Sequence, residues 1–206
     1  MGLSKRKVCC VMSTQWEVAA QSEPFRHAQI PNLLSLALAD ALLAWLRDEA
    51  PWKLRVESFY EQYEFSLLSS PPPDHLKQLT APRFLAEVRN LLQMALDAPR
   101  SLVLVDIAAH VLRPGQTIRV HNDFLGGEET HRVLVQVNEG WAVEQGGLLM
   151  LFGSSSATDV RKLVLPTHRS GFAFEISRAS YHAVSTIKNG DRFTLVYTFK
   201  AEPLLV

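Results

Sequence analysis

The sequence predicts a mainly β domain preceded by helices, of the sandwich, barrel or jelly-roll kind. Three observations carry that expectation. Eight short β-like runs follow one another at fairly even spacing, at 102–112, 117–121, 133–137, 148–152, 162–165, 172–176, 183–187 and 193–199. Turn formers separate them: Pro114 with Gly115, Gly126 with Gly127, Gly146 with Gly147, Gly153, Gly171, and Asn189 with Gly190. Upstream of Pro99 the apolar period is helical instead.

In chain order, residues 1–22 are expected to be a flexible leader, with Met12 as an alternative start. Lys5, Arg6 and Lys7 precede a short apolar patch at 8–12, which falls below the ~7–15 residues of a signal-peptide core. A single domain is expected over 23–206, with helical support at 31–98 and a jelly-roll core at 102–200. Pro31 and Asn32 supply a helix start, and Leu34, Leu38, Leu42 and Trp45 recur at helical spacing before Pro51. The aromatic stretch 52–68, with Glu57, Glu61 and Glu64 interleaved, alternates through Tyr63, Phe65 and Leu67 as a strand would, and Pro71, Pro72 and Pro73 end it. Thr80 and Pro82 open a second helix carrying Phe84, Leu85, Val88, Leu92 and Leu96 on one side.

Composition excludes several functions. With 21 basic and 21 acidic residues and no block of either sign, the chain has no electrostatic footprint for nucleic acid or anionic lipid. The longest apolar stretch, 33–46, is broken by Asp40 and is shorter than the ~20 residues that cross a bilayer, so no membrane partner is expected. The two cysteines, Cys9 and Cys10, are adjacent, where a mutual bond would be strained and close almost no loop. A reducing cytoplasm is the expected location.

The chemistry centres on His121, Asn122 and Asp123. In an extended chain the histidine and the aspartate share a face, where imidazole and carboxylate grip one ion. His182 opens a later strand and supplies a third ligand; three such ligands leave half of an octahedral metal open. Arg192 opens an otherwise apolar and aromatic strand, so a buried guanidinium there requires an anion, and its planar fork suits a carboxylate. Thr194 shares its face. An antiparallel pairing of these two strands is expected to bring Arg192 beside His182. His27, His75, His110, His131 and His168 have no such partner pattern and read as structural or solvent-exposed.

The order His121-x-Asp123, then the run 134–152 with Asn138, Trp141, Gly146, Gly147 and Phe152, then His182 and Arg192, resembles the 2-oxoglutarate- and iron(II)-dependent oxygenases, in their prolyl-hydroxylase-like branch. The similarity covers roughly residues 106–199. It implies a double-stranded β-helix, a distorted jelly roll preceded by helices. It also implies that His121, Asp123 and His182 hold Fe(II), that Arg192 binds the distal carboxylate of 2-oxoglutarate, and that Thr194, Val184 and Gln136 line this cosubstrate. Gln136 stands where some relatives have a tyrosine. The implied reaction consumes O2 and 2-oxoglutarate, with ascorbate in support, releases succinate and CO2, and hydroxylates an unactivated C–H bond. A ligating Asp123 favours hydroxylation over halogenation.

The lack of a basic, aromatic-laced segment disfavours the nucleic-acid-repair relatives and leaves a peptide side chain or an amino acid as substrate. Arg119, Arg132 and Tyr63 are the candidate substrate contacts, with salt-bridging or core packing as their plain alternative. The loop 124–130 reads as a lid or as a simple hairpin connection. Two other classes fit part of the pattern: a cupin-like metal enzyme that uses no 2-oxoglutarate and does not need Arg192, and a non-catalytic jelly-roll binding domain that needs neither.

Overall fold

The computed structural model describes residues 5–7, 16–99 and 101–202; Cys9, Cys10 and Met12 lie outside the described residues. Eight strands build the jelly roll: β6 (Leu102–Leu112), β7 (Ile118–His121), β8 (His131–Gln136), β9 (Leu149–Phe152), β10 (Val160–Val164), β11 (Gly171–Glu175), β12 (His182–Val184) and β13 (Arg192–Ala201). They correspond one for one to the eight runs read from the sequence. The chain deals them between two antiparallel sheets, with β11-β8-β13-β6 in the large sheet and β10-β9-β12-β7 in the small one. This is the double-stranded β-helix expected from the resemblance.

The large sheet reaches nine strands because earlier segments extend both of its edges. On one side stand β1 (Lys5–Lys7), β2 (Glu17–Gln21) and β3 (His27–Ile30), with β3 paired to β11; on the other, β4 (Lys53–Val56) and β5 (Glu61–Ser66) form a hairpin whose β5 pairs with β6. The leader expected over 1–22 is therefore corrected at its C-terminal end. Trp16 and Val18 are buried and Ala20 packs against the core, a period-two alternation that makes a strand, and the Trp16 indole donates to the Leu33 carbonyl at 3.1 Å. Likewise the support region 31–98 is not purely helical, since it includes this hairpin.

Both expected helices form: α1 (Leu36–Asp48) and α2 (Pro82–Leu96), the latter after a 3₁₀ segment, Asp74–Thr80. Helix α1 starts later than Pro31 and Asn32 imply, because the Ser35 hydroxyl accepts from the Leu38 amide and caps it. Pro82 begins α2 where its missing N–H costs nothing, and Asp97, at φ 50°, ends it in the left-handed region. The helices cover the outer face of the large sheet. Leu42, Leu46, Val88 and Leu92 pack there with Ile107, Val133, Val135, Leu195 and Phe199, all essentially buried. At about 1.5–3 kcal/mol per fully buried side chain, this face carries most of the stabilisation. Among the described residues, no helix is long and apolar enough to cross a membrane.

Two histidines read as structural are so, and they make the fold acid-sensitive. His27 is fully buried, hydrogen-bonded through Nδ1 to the Phe25 carbonyl (2.8 Å) and stacked on Phe172; His131 is 5 % exposed. Burial pushes each down to about 4. Both pKa values are depressed, so the unfolded chain takes up protons first. Stability is complete above about pH 6.5 and falls as the pH drops from there to about 4, by on the order of 2–3 kcal/mol per histidine. Urea midpoints at pH 7.5 and 4.5 should differ accordingly, and the difference should shrink in a His27→Asn/His131→Asn variant to the part contributed by His110, which burial also pushes down to about 4, and by other groups. An unchanged difference would assign the acid sensitivity to other groups.

Candidate metal and cosubstrate site

Between the two sheets lies a cavity of about 640 Å³, and the residues read as a site line it. Strand β7 ends at His121 and β12 begins at His182; the two residues are register partners, and their rings lie 4.3 Å apart. Asp123 joins them by a route the sequence reading did not anticipate. It is not in the strand but two residues beyond it, at φ 59°, a left-handed conformation that aspartate tolerates better than most residues. The Asn122 side chain accepts from the Phe124 amide (3.1 Å) and donates to the Arg178 carbonyl (3.2 Å), and the buried Ser180 hydroxyl donates to the Asn122 carbonyl (2.9 Å). These bonds hold the turn.

The donor set fits a metal. His121 Nδ1 lies 2.8 Å from the Arg119 carbonyl and His182 Nδ1 lies 2.8 Å from the Ser180 carbonyl. A carbonyl only accepts, so each Nδ1 carries the hydrogen, which leaves Nε2 as the atom of each ring that can ligate. Those nitrogens stand 3.3 Å from Asp123 Oδ1 and 3.2 Å from Asp123 Oδ2. Ligands roughly 2.1 Å from one ion and at right angles to each other are about 3 Å apart, so the spacing suits one face of an octahedron. All three ligand atoms lie within 4.8 Å of one another. Asp123 Oδ2 is buried without a hydrogen-bond partner, and Arg132 Nη1 approaches it at 2.7 Å without bonding alignment. Burial alone would push the Asp123 carboxyl up, but Arg132 and the histidines outweigh it and hold the group well below the usual carboxylate range. The carboxylate is thus ionised and ready to ligate.

Arg192 lines the cavity, 4 % exposed, and among the described residues no carboxylate pairs with it. Its Nη1 donates to the Thr194 hydroxyl (2.9 Å), which donates in turn to Gln136 Oε1 (3.0 Å), while Nε has no partner. Burial pushes the guanidinium down to about 10, so it stays charged at neutral pH and requires an anion. Thr194 and Val184 line the cavity, and Gln136 stands behind Thr194. Asn138 braces the group from below: its side chain accepts from the Phe193 amide (2.7 Å) and donates to the Phe193 and Pro166 carbonyls, both at 3.1 Å.

Several expectations are corrected. His182 and Arg192 are not on adjacent strands; β12 is in the small sheet and β13 in the large one, and the two residues meet only across the cavity. Of the three candidate substrate contacts, Arg132 lies in the cavity, bridging Asp123 and Glu129. Tyr63 does not. Its ring packs on the outer core with the Arg113 guanidinium 4.1 Å from its centroid, because Gln62 and Glu64 take the inward parity of β5. Arg119 also lies outside the cavity, exposed in a separate surface groove with Glu61 and Pro114, while the strand end turns His121 inward. Trp141 belongs to the fold, its indole donating to the Gly146 carbonyl at 2.9 Å. The loop 124–130 contributes Phe124, Leu125 and Glu129 to the cavity wall.

Sequence reasoning missed Gln62, Glu64, Asp106 and His110, which all line the cavity. Glu64, His110, Thr194 and Gln136 are register partners across four neighbouring strands, so one row carries all four inward. The signal was available: in the run 102–112, Asp106 and His110 share the parity opposite to Ile107, Ala109 and Val111.

No family model matches the chain. It is 26 % identical over 188 residues to the prolyl 3-hydroxylase sudestada1 of Drosophila melanogaster, covering 86 % of this chain and 34 % of that protein, so the chain spans about a third of its relative's length. Among solved structures, a Pseudomonas putida prolyl-4-hydroxylase is similar at TM-score 0.67 and 21 % identity, covering 86 % of this chain and 93 % of that one. The chain shares its fold with this prolyl-4-hydroxylase. A viral collagen prolyl hydroxylase from Paramecium bursaria Chlorella virus-1, solved with 2-oxoglutarate, is similar at TM-score 0.62 and 14 % identity, covering 86 % of this chain and 96 % of that one. A Trichoplax adhaerens prolyl hydroxylase, solved with a hypoxia-inducible-factor peptide, is similar at TM-score 0.64 and 13 % identity, with 84 % and 83 % covered.

The unpaired guanidinium gives a prediction on stability. Replacing Arg192 by methionine removes a buried charge without a counter-ion, and should raise the unfolding free energy of the ligand-free protein by about 1–3 kcal/mol. In the same variant 2-oxoglutarate should no longer raise the thermal midpoint. A destabilised variant would mean that the guanidinium already has its counter-charge within the fold.

Proposed function

We propose that the protein is an Fe(II)- and 2-oxoglutarate-dependent dioxygenase that hydroxylates a prolyl residue in a peptide, with release of succinate and CO2. The observation that carries this reading is the presence, in one cavity, of three convergent metal donors and a buried guanidinium without an anion. A cupin-like metal enzyme without 2-oxoglutarate would leave that guanidinium unexplained. The prolyl substrate follows from similarity to a prolyl 3-hydroxylase and to prolyl hydroxylase structures, one of them with a peptide. The cytoplasm, suited to a chain whose two cysteines are neighbours, is the proposed location.

His121, Asp123 and His182 would hold Fe(II). When bound, the metal supplies O2 activation coupled to oxidation of 2-oxoglutarate. The chain's own residues supply placement. Arg192 and Thr194 take one carboxylate of the cosubstrate at the floor of the cavity, and Arg192 is set by Asn138 and Gln136 before the ligand arrives. Val184 and Leu134 keep the intervening wall apolar and exclude water from the cosubstrate's carbon chain. The backbone carbonyls on both Nδ1 atoms hold the tautomer that leaves Nε2 free for the metal. Arg132 keeps the Asp123 carboxylate ionised and oriented from its outer side.

The test is succinate release from 2-oxoglutarate with Fe(II), ascorbate and O2. Wild type should turn over. Asp123→Ala should lose at least about 100-fold in kcat/KM, and Arg192→Ala should show its main effect as a higher KM for 2-oxoglutarate. Unchanged turnover in Asp123→Ala would remove the metal assignment, and a wild type that does not bind 2-oxoglutarate would favour the cupin-like reading.

A further inference from the structure

One titratable side chain of the cavity has no part in holding the metal or, so far, the cosubstrate. His110 projects inward from β6 and lines the cavity, with 24 % of its side chain exposed. Among the described residues neither of its ring nitrogens makes a hydrogen bond. Nε2 stands 3.8 Å from Glu64 Oε2, a contact that becomes an ion pair only when the ring is protonated. A polar ring on the inner face of a sheet, without a partner in the fold, is a position for a ligand to complete.

Register places that ring at the cosubstrate end. His110 pairs with Thr194 on one side and with Glu64 on the other. Side chains directly opposed in this way start from Cβ atoms about 4.5–5.5 Å apart. The Thr194 hydroxyl accepts from Arg192 Nη1, so the guanidinium leans out of its own row toward the row of His110. Other donors there are committed: the Thr194 hydroxyl gives its hydrogen to Gln136 Oε1 (3.0 Å), and Gln62 Nε2 donates to Glu64 (2.7 Å). Leu112, which faces Arg192 on β6, has no donor to offer. An anion on Arg192 therefore meets its next donor position at His110, where Nε2 faces Glu64 and Nδ1 is left for the guest.

The surrounding charges set the state of the ring with and without that anion. Glu64 faces it from β5 and is itself held by Arg55 of β4 at 2.9 Å; Arg192 acts on it from β13, Arg132 from β8 and Asp123 from the turn after β7. Burial, with the two guanidiniums Arg132 and Arg192, pushes the imidazole down to about 4 against the opposing pull of Glu64 and Asp123. It is neutral at pH 7 while the site is empty. A dicarboxylate on Arg192 cancels one of those cations and sets a second carboxylate beside the ring. Both changes favour the imidazolium. A metal present before and after cosubstrate binding acts on both states and does not reverse the difference.

We propose that His110 is a third anchor for the carboxylate held by Arg192 and Thr194: the ring takes up one proton from solvent as the dicarboxylate binds, then donates from Nδ1 to the ligand and from Nε2 to Glu64. This rests on the dioxygenase reading of the same site. The new N–H bond is the only covalent change, and the proton returns to solvent when the ligand leaves. Since the ring is more basic in the complex than in the free protein, cosubstrate affinity rises as the pH falls through the value for the complex.

The test is calorimetric titration of 2-oxoglutarate into the full chain saturated with Mn(II), under nitrogen, at pH 6.5 in PIPES and in Bis-Tris, whose ionisation enthalpies differ. The change of heat with buffer gives the protons taken up. Wild type should take up at least about 0.5 proton per site, and should bind at least about twofold tighter at pH 6.5 than at pH 8.5. His110→Gln, which keeps a donor but cannot titrate, should take up less than about 0.1 proton. Where that variant does not fold, Glu64→Gln replaces it and should lower the uptake by at least about half. Binding by wild type with a smaller uptake, or an uptake that the variant leaves unchanged, overturns the proposal and leaves the dioxygenase reading standing. A wild type that binds no 2-oxoglutarate removes the dioxygenase reading, and the proposal with it.

Discussion

The Asp123 carboxylate is the constraint on which the rest of the site depends. A charge buried this far survives only if cations or aligned donors surround it. Here Arg132 of the large sheet supplies the cation, and the metal that His121 and His182 of the small sheet would share with the carboxylate would supply the rest. The left-handed backbone at Asp123 is what aims the carboxylate back between the two rings, and the Asn122 and Ser180 bonds keep it there. Loss of this one group would leave Arg132 with Glu129 alone and the two rings without a common partner. The two sheets are therefore tied together by charge at the point where the cavity opens.

That arrangement divides labour across the large sheet. Its outer face is a conventional core, with Ile107, Ala109, Val111, Val133, Val135, Leu195, Tyr197 and Phe199 under the helices. Its inner face, on the same strands, carries Gln62, Glu64, His110, Arg132, Arg192, Thr194 and Thr198. Buried polar groups in the middle of a sheet are costly, and each side chain that is fully hydrogen-bonded limits the cost. The exceptions around the cavity are Arg132 Nε, Arg192 Nε, Asp123 Oδ2 and Gln62 Oε1, each a group that an acceptor, a cation or a donor would complete. Stability is concentrated on one face and ligand demand on the other.

What could be read from the sequence was whatever depends on local period. The eight jelly-roll strands were visible because β6 to β13 alternate or run apolar between turn formers, and both helices because their leucines recur at helical spacing. The three candidate ligands and Arg192 were visible because their order along the chain is distinctive. What was hidden depends on partners far away in sequence. Glu17 to Gln21 becomes a strand because β3 offers a paired edge, and no local signal announces that edge. Tyr63 was placed inward by its chemistry, yet the parity of β5 is set by its pairing to β6, which gives the inward positions to Gln62 and Glu64. Arg119 lost its place because β7 ends two residues later and the chain turns. The meeting of His182 and Arg192 across sheets, in place of the expected pairing within one, has the same origin: a jelly roll alternates its strands between layers, and spacing alone does not say which layer a strand joins.

The same layering explains how one small cavity can separate two ligands. Along β13 the inward residues change from Arg192 and Thr194 through Val196 to Thr198, polar at both ends and apolar between. Along β6 they run from Leu112 and His110 through Ala108 to Asp106, and along β8 from Gln136 through Leu134 to Arg132. Each strand thus has an apolar or small step at its middle, and the steps align in one row, Leu134, Val196 and Ala108. An anion held by Arg192 is kept from the end where Arg132 meets Asp123 by that row, whose lack of polar atoms offers no competing site. His121 and His182 come from the small sheet, and Asp123 beside them meets Arg132 at one end of that row. Register, set by β-sheet pairing, fixes the order of the two ligands along the cavity.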